Sequence, residues 1–164
     1  MPASTASTLG VMVRDEETSA FFDAAGTGTL VVQVCGDCGH RQFPQPFTPG
    51  TSRCHGCASS DLSWQPASGQ GNLVTWTVLQ NRPQPDGTPA PVVIIGVIEL
   101  DEGPWVHTQL RDVAIHDLTP GLRLIVDFER PAAGEPLPVF RPGRVARGRV
   151  ARRNLPSGLP QIPA

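Results

Sequence analysis

Hydrophobic and polar positions along this chain alternate with the period of strands far more often than with that of helices. The run NLVTWTVLQ puts Val74, Trp76 and Val78 on one face and Leu73, Thr75, Thr77 and Leu79 on the other. VVIIGVIEL is apolar on both faces as far as Glu99, the pattern of a central strand buried on two sides. WVHTQLRDV follows the turn DEGP, and RLIVDFER follows DLTPG with Leu122, Leu124, Val126 and Phe128 directed inward. PLPVF predicts the last strand, while TLVVQVC and DLSWQPASG predict two more upstream. Only RDEETSAFFDAAGTG reads as an amphipathic helix, over about residues 15–25, with acids in its first turn and Gly26 and Gly28 as its stop. A short helix or turn at AIHDLTPG and a long loop, NRPQPDGTPAP, complete the pattern.

Five or so strands downstream of residue 66 fit a small barrel of OB type, so the expected class is mainly β. The content of 17 Gly and 18 Pro in 164 residues agrees, since short strands need many turns. Charge is unevenly placed. All fifteen acids and seven arginines lie at or before Glu135, which leaves −8, whereas six arginines and no acid follow it; lysine is absent. The opening MPASTASTLGVMVRDEETSAFF has no basic segment leading into an apolar run, so it does not read as a secretory signal. The longest apolar run, PVVIIGVIEL, is half the ~20 residues that a bilayer demands. A soluble cytoplasmic protein is expected.

In a reducing compartment, cysteines in paired motifs favour metal over disulfides. Cys35 and Cys38, then Cys54 and Cys57, form two Cys-x-x-Cys pairs with fifteen residues between them. Each pair supplies two thiolates from one tight turn, and two such knuckles close a tetrahedral zinc site with bonds of about 2.3 Å. The prolines Pro44, Pro46 and Pro49 stiffen the excursion between them. Structural Zn²⁺ bracing a module too small for its own core is the favoured reading; a redox dithiol pair and an iron centre of rubredoxin type are the alternatives. His40 and His55 sit beside ligand cysteines and read as exposed neighbours. A complete four-thiolate set leaves no open coordination position for catalysis.

No nucleophile motif or phosphate loop accompanies these cysteines. His107 and His116 read as surface or structural histidines, and the acidic cluster Glu99, Asp101 and Glu102 as a solvated hairpin. A binding or accessory module is favoured over an enzyme. A zinc ribbon followed by an OB barrel also suits single-stranded nucleic acid, but the acidic body, the lack of tyrosine and 5% aromatic content weaken that alternative. The arginine-rich tail suits an acidic partner surface or ligand phosphates, or serves solubility alone.

The order of motifs resembles the DUF35 family. A helix ending in FFDAAGTGTLVVQVCGDCGHRQFP, the second knuckle CHGCASSDLSW, then SGQGNLVTWTV, VVIIGVIELDEGPWVHTQL and PLPVFRPG carry the resemblance, over about residues 16–143. It implies a helix and rubredoxin-like zinc ribbon over residues 14–66, an OB-fold domain over 67–143 and a basic tail over 144–164. It further implies a non-catalytic subunit that docks to a thiolase-like or hydratase-like enzyme, stabilises it and helps shape its acyl-CoA channel. The zinc cysteines carry over to Cys35, Cys38, Cys54 and Cys57; no catalytic residue carries over. Arg82, Arg111, Arg141 and Arg144 are the candidates for contacting CoA phosphates or an acidic partner. The tail beyond Gly143 has no counterpart in the resemblance.

Overall fold

The computed structural model describes residues 11–43, 52–80, 83, 86–89 and 91–143. One helix, α1 (Ser19–Gly26), precedes a small antiparallel sheet of β1 (Val31–Cys35), β2 (Arg41–Gln42) and β3 (Leu62–Pro66), ordered β2-β1-β3. Then β4 (Gln70–Gln80), β5 (Val92–Leu100), β6 (Trp105–Leu110), β7 (Arg123–Glu129) and β8 (Leu137–Pro142) close a barrel in the order β4-β5-β6-β8-β7. Among the described residues the parallel neighbours are β6 and β8, which meet at Leu110 and Phe140. This is the mainly β, OB-fold architecture that the alternation predicts.

The helix starts later than its sequence suggests. Asp15 Oδ1 accepts from the Thr18 N–H at 2.8 Å and from the Thr18 hydroxyl at 2.6 Å, while the Asp15 N–H donates back to Thr18 Oγ1 at 3.0 Å. That reciprocal capping turn uses the acidic segment before α1 begins at Ser19. At the other end the Gly28 N–H donates to the Ala25 carbonyl at 3.0 Å, with Gly28 at φ +81°.

The long strand β4 also departs from simple alternation. Leu73 pairs with Ile98 and Thr75 with Val97, so Val74 is an extra residue in a bulge. The bulge resets the phase: Leu73 is buried before it, and Trp76 and Val78 pack on the core after it. The expected placement of Leu73 opposite Trp76 is therefore corrected. In β5 the inner positions Ile94, Gly96, Ile98 and Leu100 are buried, whereas Ile95 and Val97 on the other face are only half-buried. Burial on two sides holds only in part, because a barrel wall packs one face inward.

One apolar cluster runs through both sheets. Phe21, Phe22, Leu30, Val31 and Val32 from the helix and first sheet join Leu73, Ile98, Leu124 and Phe140 of the barrel. The linker follows the same contact, since the Ala67 N–H donates to the Leu30 carbonyl at 2.8 Å. Arginines fasten the outside. Arg14 spans Glu135 at 2.6 Å and Asp23 on α1 at 2.5 Å, and Arg130 donates to the Gly26 carbonyl at the end of α1.

Candidate metal centre

The two knuckles are the same backbone turn made twice. In the first, the Gly39 N–H donates to the Cys35 carbonyl and the Cys35 N–H to the His40 carbonyl, both at 2.9 Å. In the second, the Ala58 N–H donates to the Cys54 carbonyl and the Cys54 N–H to the Ser59 carbonyl, both at 2.8 Å. The residue after each second cysteine is left-handed: Gly39 at φ +71° and Ala58 at φ +62°. Such a turn points successive N–H groups at sulfur, and the Gly56 N–H reaches Cys54 Sγ at 3.3 Å.

The turns bring Cys35, Cys38, Cys54 and Cys57 together, with all four sulfurs within 4.8 Å of one another. Cys35 faces Cys57 at 3.6 Å and Cys38 faces Cys54 at 3.5 Å. A tetrahedron with bonds of about 2.3 Å has edges of roughly 3.8 Å, so the donor set fits one tetrahedral ion with little movement. Cys35 and Cys54 are buried and Cys38 and Cys57 exposed, so each knuckle offers one inner and one outer sulfur.

The thiols resist carrying four charges unaided. Burial raises the Cys54 thiol, but the N–H groups of Cys57 and Gly56 and the neighbouring thiols outweigh it and bring it down to about 7. For Cys57 the Ser59 N–H pulls downward, yet Cys38, burial and the other thiols push it up to about 12. One thiolate forms readily and its neighbour is then suppressed, which is the electrostatic situation a divalent cation relieves.

Sequence reasoning did not single out Gln42. Only 5% exposed on the two-residue strand β2, it stands across from Gln33 and reaches the second knuckle. Its Nε2 donates to the Arg53 carbonyl and to Gln33 Oε1, both at 3.1 Å, and its Oε1 accepts from the His55 N–H at 2.9 Å. A glutamine between Arg41 and Phe43 carries no motif by which to find it. His40 and His55 are exposed neighbours with ring centroids 6.5 Å apart.

The candidate arginines lie elsewhere. Arg111 and Arg141 flank the β6–β8 seam, where the Arg111 N–H donates to the Phe140 carbonyl at 2.8 Å. Arg111 is engaged by Glu129 in a partly buried ion pair, whereas Arg141 lies 3.5 Å from Asp127 with 45% of its side chain exposed. Arg82 and Arg144, parts of the loop 81–91 and the tail from residue 144 fall outside the described residues. His107 is exposed on β6, and His116, also exposed, lies 3.7 Å from Asp117. No helix among the described residues is long and apolar enough to cross a membrane.

Known proteins resemble this arrangement. The family model for the C-terminal OB-fold domain of ChsH2 matches residues 64–129. A probable enoyl-CoA hydratase alpha subunit of Thermomonospora curvata is 30% identical over 128 residues, which are 78% of this chain and 38% of that protein. A DUF35 domain-containing scaffold protein of Pyrococcus furiosus is 31% identical over 87 residues, 52% of this chain and 59% of that one. The chain therefore spans less than two thirds of the length of either curated relative. Among solved structures, a chain of the Ltp2-ChsH2(DUF35) aldolase superposes with a TM-score of 0.63 at 27% identity, covering 79% of this chain and 96% of that one. A DUF35 protein of unknown function from Sulfolobus solfataricus shares the fold with a TM-score of 0.52 at 12% identity, over 76% and 83% of the two chains. A ribbon with four converging cysteines, an OB barrel behind it and these relatives all point the same way: together they support a DUF35 OB-fold family protein.

Proposed function

We propose that this chain is a non-catalytic subunit of a cytoplasmic complex that processes acyl-CoA, docked on a thiolase-like or hydratase-like catalytic chain. Its likeness to a chain of the Ltp2-ChsH2(DUF35) aldolase, over 79% of its length and 96% of that chain's, carries the reading. The relative named as an enoyl-CoA hydratase alpha subunit points to the same chemistry, because this chain corresponds to a part of it. In this reading Zn²⁺ in the cage of Cys35, Cys38, Cys54 and Cys57 braces the ribbon and holds no substrate. The ribbon and barrel steady the catalytic chain and line the mouth of its acyl channel.

Exposed apolar side chains give the docking its driving force. Leu79, Val92 and Trp105, on β4, β5 and β6, are 46%, 51% and 53% exposed. Leu79 and Val92 lie at one end of the β4–β5 ladder and Trp105, paired with Glu99, at the other, so in this reading they are separate contacts for the covering chain rather than one patch. Arg141 is the better placed of the two described arginines for CoA phosphates or an acidic partner, because Glu129 already engages Arg111. Arg82 and Arg144 remain candidates for the same contacts.

Affinity isolation of the tagged full chain from its own host tests the reading. A thiolase-fold or hydratase-fold chain is expected in fixed stoichiometry, and Trp105→Asp is expected to release it. Turnover of an acyl-CoA by the purified chain alone, at a rate tracking its bound metal, would refute it. Steeply salt-dependent binding to a single-stranded oligonucleotide, with no protein companion, would favour the nucleic-acid alternative instead.

A further inference from the structure

We infer that Gln42 is the positioning residue that presets the second knuckle for metal capture, an inference that rests on the thiol cage being a metal site. The two knuckles obtain their support differently. Cys35 is the last residue of β1, paired with Leu62 of β3, so the sheet itself orients the first knuckle. Cys54 belongs to no strand. What stands in for a strand at Cys54 is one side-chain amide. Gln42 Oε1 takes the His55 N–H and Nε2 gives to the Arg53 carbonyl, so the peptide groups on both sides of Cys54 are held by one planar group.

The amide is itself fixed. Its second N–H donates to Gln33 Oε1 in a pair where both glutamines are more than nine-tenths buried, and Gln33 lies on the central strand of the small sheet. The chain of support thus runs from β1 through Gln33 and Gln42 to Arg53 and His55, and so to the Cys54 sulfur. Gln42 also leaves the first knuckle just before the chain departs on its excursion, so this contact returns the second knuckle to the first. A buried amide satisfying one donor and two acceptors at once cannot be replaced without leaving a backbone N–H and C=O unpaired. Groups that orient metal ligands from outside the coordination sphere are typically worth about 10- to 100-fold in metal affinity.

The test is a cobalt(II) titration of the reduced, metal-free full chain, followed by displacement with zinc. Gln42→Leu, which keeps the volume and removes the amide, is expected to weaken cobalt binding about 10- to 100-fold and to shift or weaken its thiolate d–d bands, with far-UV and tryptophan spectra unchanged. Gln33→Leu, which keeps both backbone contacts of Gln42 and removes only its anchor, is expected to fall between wild type and Gln42→Leu. Should Gln42→Leu not fold, Gln33→Leu decides alone, and an affinity equal to wild type overturns the inference. An unaltered cobalt affinity and spectrum in folded Gln42→Leu overturns it as well. A wild-type chain that gives no tetrahedral thiolate spectrum refutes the metal-site reading itself and this inference with it, an outcome read before any variant is made.

Discussion

Twin knuckles that differ at one left-handed residue allow a reciprocal experiment. Gly39 and Ala58 occupy the same position, at φ +71° and +62°, but only Ala58 carries a Cβ. A left-handed conformation costs an L-residue roughly 1–2 kcal/mol, while glycine's greater freedom in the unfolded chain returns about 0.5–1 kcal/mol of that. The net is about 0.5–1 kcal/mol in favour of glycine at both sites. At Gly39 an added Cβ would meet nothing within 4 Å, so backbone strain is the only cost of Gly39→Ala. Thiol labelling of the metal-loaded protein reads the effect, because all four cysteines sit in the ribbon and react on its local opening. Ala58→Gly is expected to slow labelling about 2- to 5-fold and Gly39→Ala to speed it by the same factor, following the exponential of that energy over RT. Equal rates in both variants, or faster labelling in Ala58→Gly, would refute the reasoning that the two turns are equivalent.

The barrel and its ion pairs yield further expectations. Gly71 pairs with both Leu100 and Leu124 where β4 closes the barrel, and a Cβ there would lie 2.5 Å from the Glu99 carbonyl oxygen; Gly71→Ala is expected to cost about 3 kcal/mol and roughly 10 °C in melting temperature, while Gly26→Ala, in α1 with nothing within 4 Å, is expected to raise it slightly, by about 0.5–1 kcal/mol of stability. The bulge at Val74 predicts that Leu73→Ala loses about 3 kcal/mol in urea unfolding and Leu79→Ala less than about 0.5, a contrast that regular alternation does not allow. Arg123 lowers Asp101, and Arg14 lowers Glu135, below their ordinary carboxylate values. Groups depressed in the fold contribute stability above those ordinary values and lose it as pH falls through the folded ones, so the urea midpoint should decline below about pH 4.5, with a shallower fall in Arg123→Gln.

The alternation in the sequence predicts all five barrel strands, and Cys-x-x-Cys spacing predicts the cage, because both are local patterns repeated over several residues. What escaped detection depends on the partner rather than on the strand. Val74 is a bulge only because Leu73 and Thr75 meet adjacent residues of β5, and nothing in NLVTWTVLQ states that register. The start of α1 is not legible in the sequence because Thr18 answers Asp15 in a capping turn whose acids otherwise look like a first helical turn. Gln42 was invisible because its three partners are nine to thirteen residues away and two of them are backbone atoms. Arg111 was legible as a charge but not as half of an ion pair, since Glu129 lies eighteen residues on.

The apolar cluster shared by the two sheets limits how this protein can be dissected. A gene cut after Pro66 would strip Phe21, Phe22, Leu30 and Val32 of their neighbours in one fragment and lay bare the same contact on the barrel in the other. Fragments expressed apart should aggregate or demand detergent, while the two halves mixed during refolding should recover a soluble heterodimer. Any assay of what the ribbon or the barrel does alone is therefore best made by point substitution within the intact polypeptide.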